Sequence, residues 1–230
     1  MKKFIIFIIT FSLYGAFPSW YYKVKNTSGQ KQAFVEIMLP LIQAENAKIK
    51  NLRQQLINIF NDPYYLLNPQ KIIFLQKTAK IYKIKNIFDK EKFLKKINVI
   101  PPSLALAQAA IESGWGKSRF VREANNIFGH WTYSNRGLAP KSKYEHIKIN
   151  YSIRIFPSLE ASIAAYMKNL NRNRAYEEFR NIREQFYNRH KPFTGLDAAD
   201  TMIRYSQKKE AYVKLLKDMI NKNNWIKYDK

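Results

Sequence analysis

One carboxylate closes an alanine-rich run and sets the chemical question. Residues 103–116 read Ser-Leu-Ala-Leu-Ala-Gln-Ala-Ala-Ile-Glu-Ser-Gly-Trp-Gly. The small residues predict a buried helix, and Gly114-Trp115-Gly116 predicts its end. Glu112 therefore stands at the negative end of a helix, beside the large Trp115 ring. Desolvation and the helix dipole both disfavour its ionised form. A carboxyl held protonated near neutral pH is suited to general acid work, and delivering a proton to a glycosidic oxygen is a common use of one. Gln108 lies one turn earlier on the same face, placed to hydrogen-bond the acid or to line a cleft. Trp115, Phe128, Trp131 and Tyr133 cluster around the motif, and flat rings bury the apolar faces of sugars well. Of these, Trp131 and Tyr133 fall in a stretch read as loop, the better place for a cleft contact.

Other chemistries find less support. His130, His146 and His190 are scattered, without the spacing of a zinc site, and there is no cysteine. There is no Gly-rich phosphate loop and no Gly-x-Ser-x-Gly elbow. The sequence thus implies no metal and no cofactor.

The elements that would position Glu112 can be read from periodicity. Phe34, Ile37, Met38, Leu41, Ile49, Leu52, Leu56 and Ile59 recur at helical spacing, in one long helix or two meeting at Pro40. Ile72, Leu75, Ala79 and Tyr82 mark a second helix, and Asp89 opens a short one through Ile97. Pro101-Pro102-Ser103 is a start signal, with Ser103 the expected N-cap. A brief helix is expected over 118–123, then a tight turn at Asn125-Asn126-Ile127-Phe128-Gly129. Strict alternation from Ile147 to Ile155 predicts a half-buried strand, its hairpin partner expected in 138–146. Pro157-Ser158 begins another helix, a further one covers 175–188, and Tyr212, Leu215, Leu216, Met219 and Ile220 stripe a C-terminal helix. The order predicts an α+β fold in which helices dominate.

Composition bounds the rest. The chain has 230 residues, 46% of them hydrophobic, enough to build a core. Forty Lys and Arg against 17 Asp and Glu give a formal charge of +23, which suits polyanionic surroundings. Lys2-Lys3 precede an apolar run from Phe4 to Phe17, the pattern of an export signal. Residues 1–22 are read as a leader or retained anchor, residues 4–17 as a possible membrane tether, 23–70 as a helical extension packed on the catalytic domain, and 71–230 as the catalytic domain. The expected location is periplasmic or at the cell envelope.

The run 106–116 followed by Asn125-Asn126-Ile127-Phe128-Gly129 resembles the glucosaminidase family, glycoside hydrolase family 73. Val99-Ile100-Pro101-Pro102-Ser103, Lys191-Pro192-Phe193-Thr194-Gly195-Leu196 and Tyr205-Ser206-Gln207 resemble its Bax-type branch. The resemblance extends over most of 31–222. It implies a lysozyme-like fold with a small β-hairpin beside the cleft, and cleavage of the β-1,4 bond between N-acetylglucosamine and N-acetylmuramic acid in peptidoglycan. It implies Glu112 as the acid, Glu145 on the hairpin as second carboxylate and Tyr176 as a cleft tyrosine. Gln108, Trp115, Asn126, Phe128, Trp131 and Tyr133 are the expected substrate contacts. Around Lys143-Tyr144-Glu145-His146 the usual turn glycine is missing. Three other readings remain: a lytic transglycosylase or muramidase on the same glycan, a non-catalytic wall-binding module, and a nucleic-acid-binding protein. Export and the dispersal of Lys and Arg along the chain argue against nucleic acid.

Overall fold

The longest helix, α1 (Thr27–Asn61), starts where the Asn26 side chain accepts the Gly29 amide. Ala33, Phe34, Met38, Ile42, Ile49 and Leu56 form its buried stripe. It runs unbroken through Pro40, which lies on the exposed face, where water can satisfy the carbonyl one turn back. The structure is a computed structural model and describes residues 17–134, 137–139 and 152–229.

Helix α2 (Pro69–Tyr82) is capped by Asn68 with Pro69 at its first position, and α3 (Lys90–Lys96) by Asp89. Helix α4 (Pro102–Ser113) carries Glu112. Every residue from Ser103 to Ala110 is buried, so this helix is enclosed on all sides. It packs on α1, α8 (Gly195–Asp200), α9 (Glu210–Lys222) and the terminal 3-10 turn Trp225–Tyr228. The small side chains Ala105, Ala107, Ala109 and Ala110 permit that close approach. Helices α5 (Arg119–Ala124), α6 (Leu159–Arg172) and α7 (Glu177–Asn188) complete the helical frame. Ser118 caps α5, Ser158 caps α6, and Thr194 with Asp197 forms a capping box on α8.

The start of α4 differs from expectation. Pro101, not Ser103, is the N-cap, and Ser103 is already inside the helix. The Ser103 amide and hydroxyl both donate to the Asp229 carboxylate, at 2.8 and 2.6 Å, and the Gly195 amide donates to it at 2.8 Å. A carboxylate from the far end of the chain thus serves the first turns of α4 and α8 together. The loop entering α4 is pinned by Arg183, 3% exposed. Its guanidinium donates to the carbonyls of Lys95, Asn98 and Val99 and to the Asn171 side chain. Burial pushes the Arg183 pKa down to about 9.

The sheet is one short antiparallel pair. Strand β1 (Trp131–Thr132) faces β2 (Ser152–Ile153), with Trp131 opposite Ile153. The described strand partner, β1, lies upstream of the expected 138–146, and Trp131 belongs to a strand, not a loop; of that expected range Leu138 does pair with Ile153, and 140–146 lie outside the described residues. Leu138 adds an isolated bridge, exchanging both backbone hydrogen bonds with Ile153 at 2.8 Å. The expected strand residues Ile147, Ile149 and Tyr151 lie outside the described residues. The architecture is α+β with helices dominating.

Residues 17–23 belong to the folded body. Phe17 is 4% and Tyr21 0% exposed. The Phe17 ring centroid lies 4.5 Å from Tyr21 and 5.7 Å from Phe34 of α1. A leader boundary at 22 would remove both rings from the core; a boundary at 16 leaves them. Helix α1 packs on α3, α4 and α6 and shares one core with them. Among the described residues no helix is long and apolar enough to cross a membrane.

Candidate active site

Glu112 is the penultimate residue of α4. The helix stops because Gly114, Trp115 and Gly116 take φ of 56, 57 and 71° in succession. Glycine adopts this region at little cost; Trp115 is held there by its surroundings. Its amide donates to the Ala110 carbonyl at 2.8 Å, and its carbonyl accepts the Tyr21 hydroxyl at 2.5 Å. Ser113 Oγ bridges the turn, donating to the Ala109 carbonyl and accepting the Gly116 amide at 2.7 Å. A Cβ on Gly116 would come within 2.7 Å of the Phe17 ring. The N-terminal aromatic segment therefore packs directly on the turn that ends the Glu112 helix.

Glu112 is exposed, yet neighbouring protein atoms displace enough water around its carboxyl to raise its pKa, desolvation being the largest influence. Two opposing influences temper the rise: the Tyr212 hydroxyl donates to Oε1 at 2.8 Å, and Lys208 lies near. The aromatic surroundings differ from those expected. The Trp115 ring turns to the core, 5.4 Å from Phe34 and 5.7 Å from Trp225. The rings around Glu112 are tyrosines. Tyr212 of α9 stacks on Tyr205 at 5.6 Å, and Tyr176 lies 6.1 Å from Tyr205. Burial keeps the phenols of Tyr166, Tyr176, Tyr205 and Tyr212 protonated, and the nearby Glu112 charge reinforces this. They are hydrogen-bond donors at any physiological pH.

Gln108 does not line the cleft. It is fully buried; its amide nitrogen donates to the Tyr212 hydroxyl at 3.1 Å and its oxygen accepts the Tyr166 hydroxyl at 2.5 Å. It reaches Glu112 only through Tyr212. Asn126 is 2% exposed and clips the hairpin base, donating to the His130 and Arg154 carbonyls at 2.8 Å and accepting the His130 amide at 2.9 Å. Phe128, 4% exposed, stacks face to face on Tyr166 at 3.9 Å. These three side chains shape the site from behind. Trp131 and Tyr133 are exposed on and beside β1, where a ligand can reach them. Tyr176 shares the tyrosine cluster. Glu145 lies outside the described residues.

Tyr166, Tyr205 and Tyr212 are the participants that the sequence pattern did not single out. Tyr212 falls in a core stripe, and its hydroxyl has no signature in periodicity. Burial pushes His130 down to about 4, leaving it neutral, and its Nδ1 is buried with no hydrogen-bond partner among the described residues. Among those residues no group of three potential ligands could hold a metal. Cavities of about 370 and 650 Å³ lie beside Arg53, Arg183 and Tyr187, and neither is lined by Glu112 or its tyrosines.

A helical frame that presents one perturbed carboxyl among neutral tyrosines suits a hydrolase acting by proton donation. Comparison with known proteins is more specific. The profile of the glucosaminidase family, described as mannosyl-glycoprotein endo-β-N-acetylglucosaminidase, matches residues 89–225. Protein bax of Escherichia coli (strain K12) is 31% identical over 206 residues, covering 87% of this chain and 72% of that protein. The catalytic domain of the autolysin Auto from Listeria monocytogenes aligns with 77% of this chain and 87% of its own, at 22% identity and a TM-score of 0.43. The chain belongs to the glucosaminidase family and is a glycoside hydrolase by class.

Proposed function

We propose that this chain is an exported peptidoglycan hydrolase, an endo-β-N-acetylglucosaminidase that cleaves the β-1,4 bond after N-acetylglucosamine. The observation that carries the reading is the state of Glu112 at the end of α4: raised in pKa by desolvation and, among the described residues, hydrogen-bonded at Oε1 by the neutral Tyr212. That carboxyl donates its proton to the departing sugar oxygen as the bond breaks. Trp131 and Tyr133 supply flat surfaces for sugar rings, and Tyr176 faces the substrate from the tyrosine cluster. Glu145 is the proposed second carboxylate. A separation of roughly 6.5–9.5 Å from Glu112 would make it a base activating water, and one of roughly 5–5.5 Å a nucleophile.

Export through the basic and apolar N-terminal residues brings the enzyme to its substrate, with a retained tether as the alternative to cleavage. The +23 charge then holds it on a polyanionic envelope, an attraction that weakens as salt rises. Digestion of purified peptidoglycan with mass spectrometry of the new ends tests the assignment. Reducing N-acetylglucosamine ends are expected. Reducing muramic acid would make the chain a muramidase, anhydro-muramic acid a lytic transglycosylase, and no new ends a binding module.

A further inference from the structure

Three buried side chains form a line behind Glu112. Tyr166 of α6 donates its hydroxyl hydrogen to Gln108 Oε1 at 2.5 Å. That fixes which end of the Gln108 amide faces α9: Nε2, which donates to the Tyr212 hydroxyl at 3.1 Å. Tyr212 owns a single hydrogen. With its oxygen already accepting from Gln108, that hydrogen goes to Glu112 Oε1 at 2.8 Å. Gln108 is fully buried, and Tyr166 is clamped face to face against Phe128. Neither can reorient without leaving a buried polar atom unpaired. The arrangement runs in one direction, from Tyr166 through Gln108 and Tyr212 to Glu112.

We propose that Tyr166, Gln108 and Tyr212 are positioning residues whose one-way hydrogen-bond chain reserves Glu112 Oε1 as an acceptor and confines the transferable proton to Oε2. This rests on the reading of Glu112 as general acid. A carboxyl whose proton exchanged between its two oxygens would point it at the substrate only part of the time. Here Oε1 is occupied by a phenol that burial keeps protonated, and among the described residues no hydrogen bond engages Oε2, so the proton sits on Oε2. The chain also lends the carboxylate a hydrogen bond after proton transfer, which limits how far burial raises its pKa. Among the described residues the other titratable groups that act on or feel Glu112 are Tyr166 on α6, Tyr176 before α7, and Tyr205 and Lys208 before α9.

Carbon-13 NMR titration of the Glu112 carboxyl in the full chain, with the pH profile of peptidoglycan release, tests the arrangement. In Tyr212→Phe the carboxyl loses its donor, and its titration and the alkaline limb should move up together by roughly one pH unit, the size one charge-assisted hydrogen bond supports. Gln108→Glu, fully buried and therefore protonated, still accepts the Tyr166 hydrogen on one oxygen and donates from the other to Tyr212, so its titration should stay close to that of the native chain. Gln108→Met removes the donor that holds the Tyr212 hydroxyl in place, and an upward shift smaller than that of Tyr212→Phe is expected. Equal shifts from the two substitutions at 108, or an unmoved or lowered titration in Tyr212→Phe, would overturn the proposal. Should a substitution at 108 not fold, Tyr212→Phe decides alone. Activity surviving in Glu112→Gln would remove the general acid reading instead, and the NMR titration would still report the chain.

Discussion

Tyr21 offers a direct check on how the turn after Glu112 is held. Its ring is fully buried between Phe17 and the rest of the core, and its hydroxyl reaches the Trp115 carbonyl across 94 residues of sequence. Truncating a buried aromatic to alanine costs about 3–5 kcal/mol. A domain of ordinary stability has about 5–15 kcal/mol in total, so Tyr21→Ala should remove a large share of it. Tyr21→Phe keeps the ring and deletes one hydrogen bond, leaving the Trp115 carbonyl without that donor; about 1–2 kcal/mol is expected. Urea unfolding of the two variants, each in a chain beginning at residue 17, measures both numbers, with an unchanged urea dependence showing that the same body unfolds. A chain beginning at residue 23 should be destabilised as well, by less than the two rings together, because the excised residues no longer have to be ordered. If Tyr21→Ala unfolds within about 0.5 kcal/mol of the native chain, as an ordinary surface substitution does, the N-terminal segment is no part of the core. By the same reasoning, if the proposed leader is cleaved, N-terminal sequencing of the mature protein should find its start at or before Phe17, and a start at 23 would contradict the packing.

Glu112→Gln should stabilise the fold at neutral pH by up to about 1 kcal/mol, since the residue retains solvent contact. The sign follows from its folded pKa, raised above the ordinary 4.5. Above that raised value the folded state bears the cost of a charged carboxyl, and the cost disappears as the pH falls toward 4.5. Melting curves of the two proteins should therefore converge on acidification, and a gap that widened instead would reverse the assignment. Asp229→Ala strips an acceptor from Ser103 and Gly195 at once, and about 2–4 kcal/mol of lost stability is expected in denaturant titrations. Trp131→Ala and Tyr133→Ala should leave the unfolding midpoint nearly unchanged while raising KM for peptidoglycan fragments several-fold, because both rings are exposed. A stability loss without a KM change would make them structural.

The helical frame was legible because its signals are local. Apolar spacing in α1, and the helix starts at Asp89, Ser118 and Ser158, each act within a few residues of their own element. The turn at Gly114-Trp115-Gly116 was readable for the same reason. What stayed hidden acts over long sequence distance. Ser103 looked like a cap because nothing nearby announces that Asp229, 126 residues on, takes its amide and hydroxyl. Trp115 looked like the ring beside Glu112 because it is close in sequence; its positive φ and its packing on Phe34 and Trp225 carry it into the core. The tyrosines that do surround Glu112 come from α6, the turn before α7 and the approach to α9, brought together only by the fold. Gln108 shares the face of Glu112 as helical spacing requires, but burial turns its amide toward two hydroxyls rather than toward a cleft. The partner of the alternating strand was only partly foreseen: Leu138 of the expected range pairs with Ile153, but so does Trp131 further upstream, because alternation identifies a strand without naming what it pairs with.

The central claim is that the proton breaking the sugar bond comes from Glu112. Purified peptidoglycan digested with the native chain and with Glu112→Gln, both confirmed folded by their melting curves, tests it most directly. The native protein should release fragments with new reducing N-acetylglucosamine ends, and Glu112→Gln should release none above background. Release by Glu112→Gln at a rate near that of the native protein would show that another group supplies the proton.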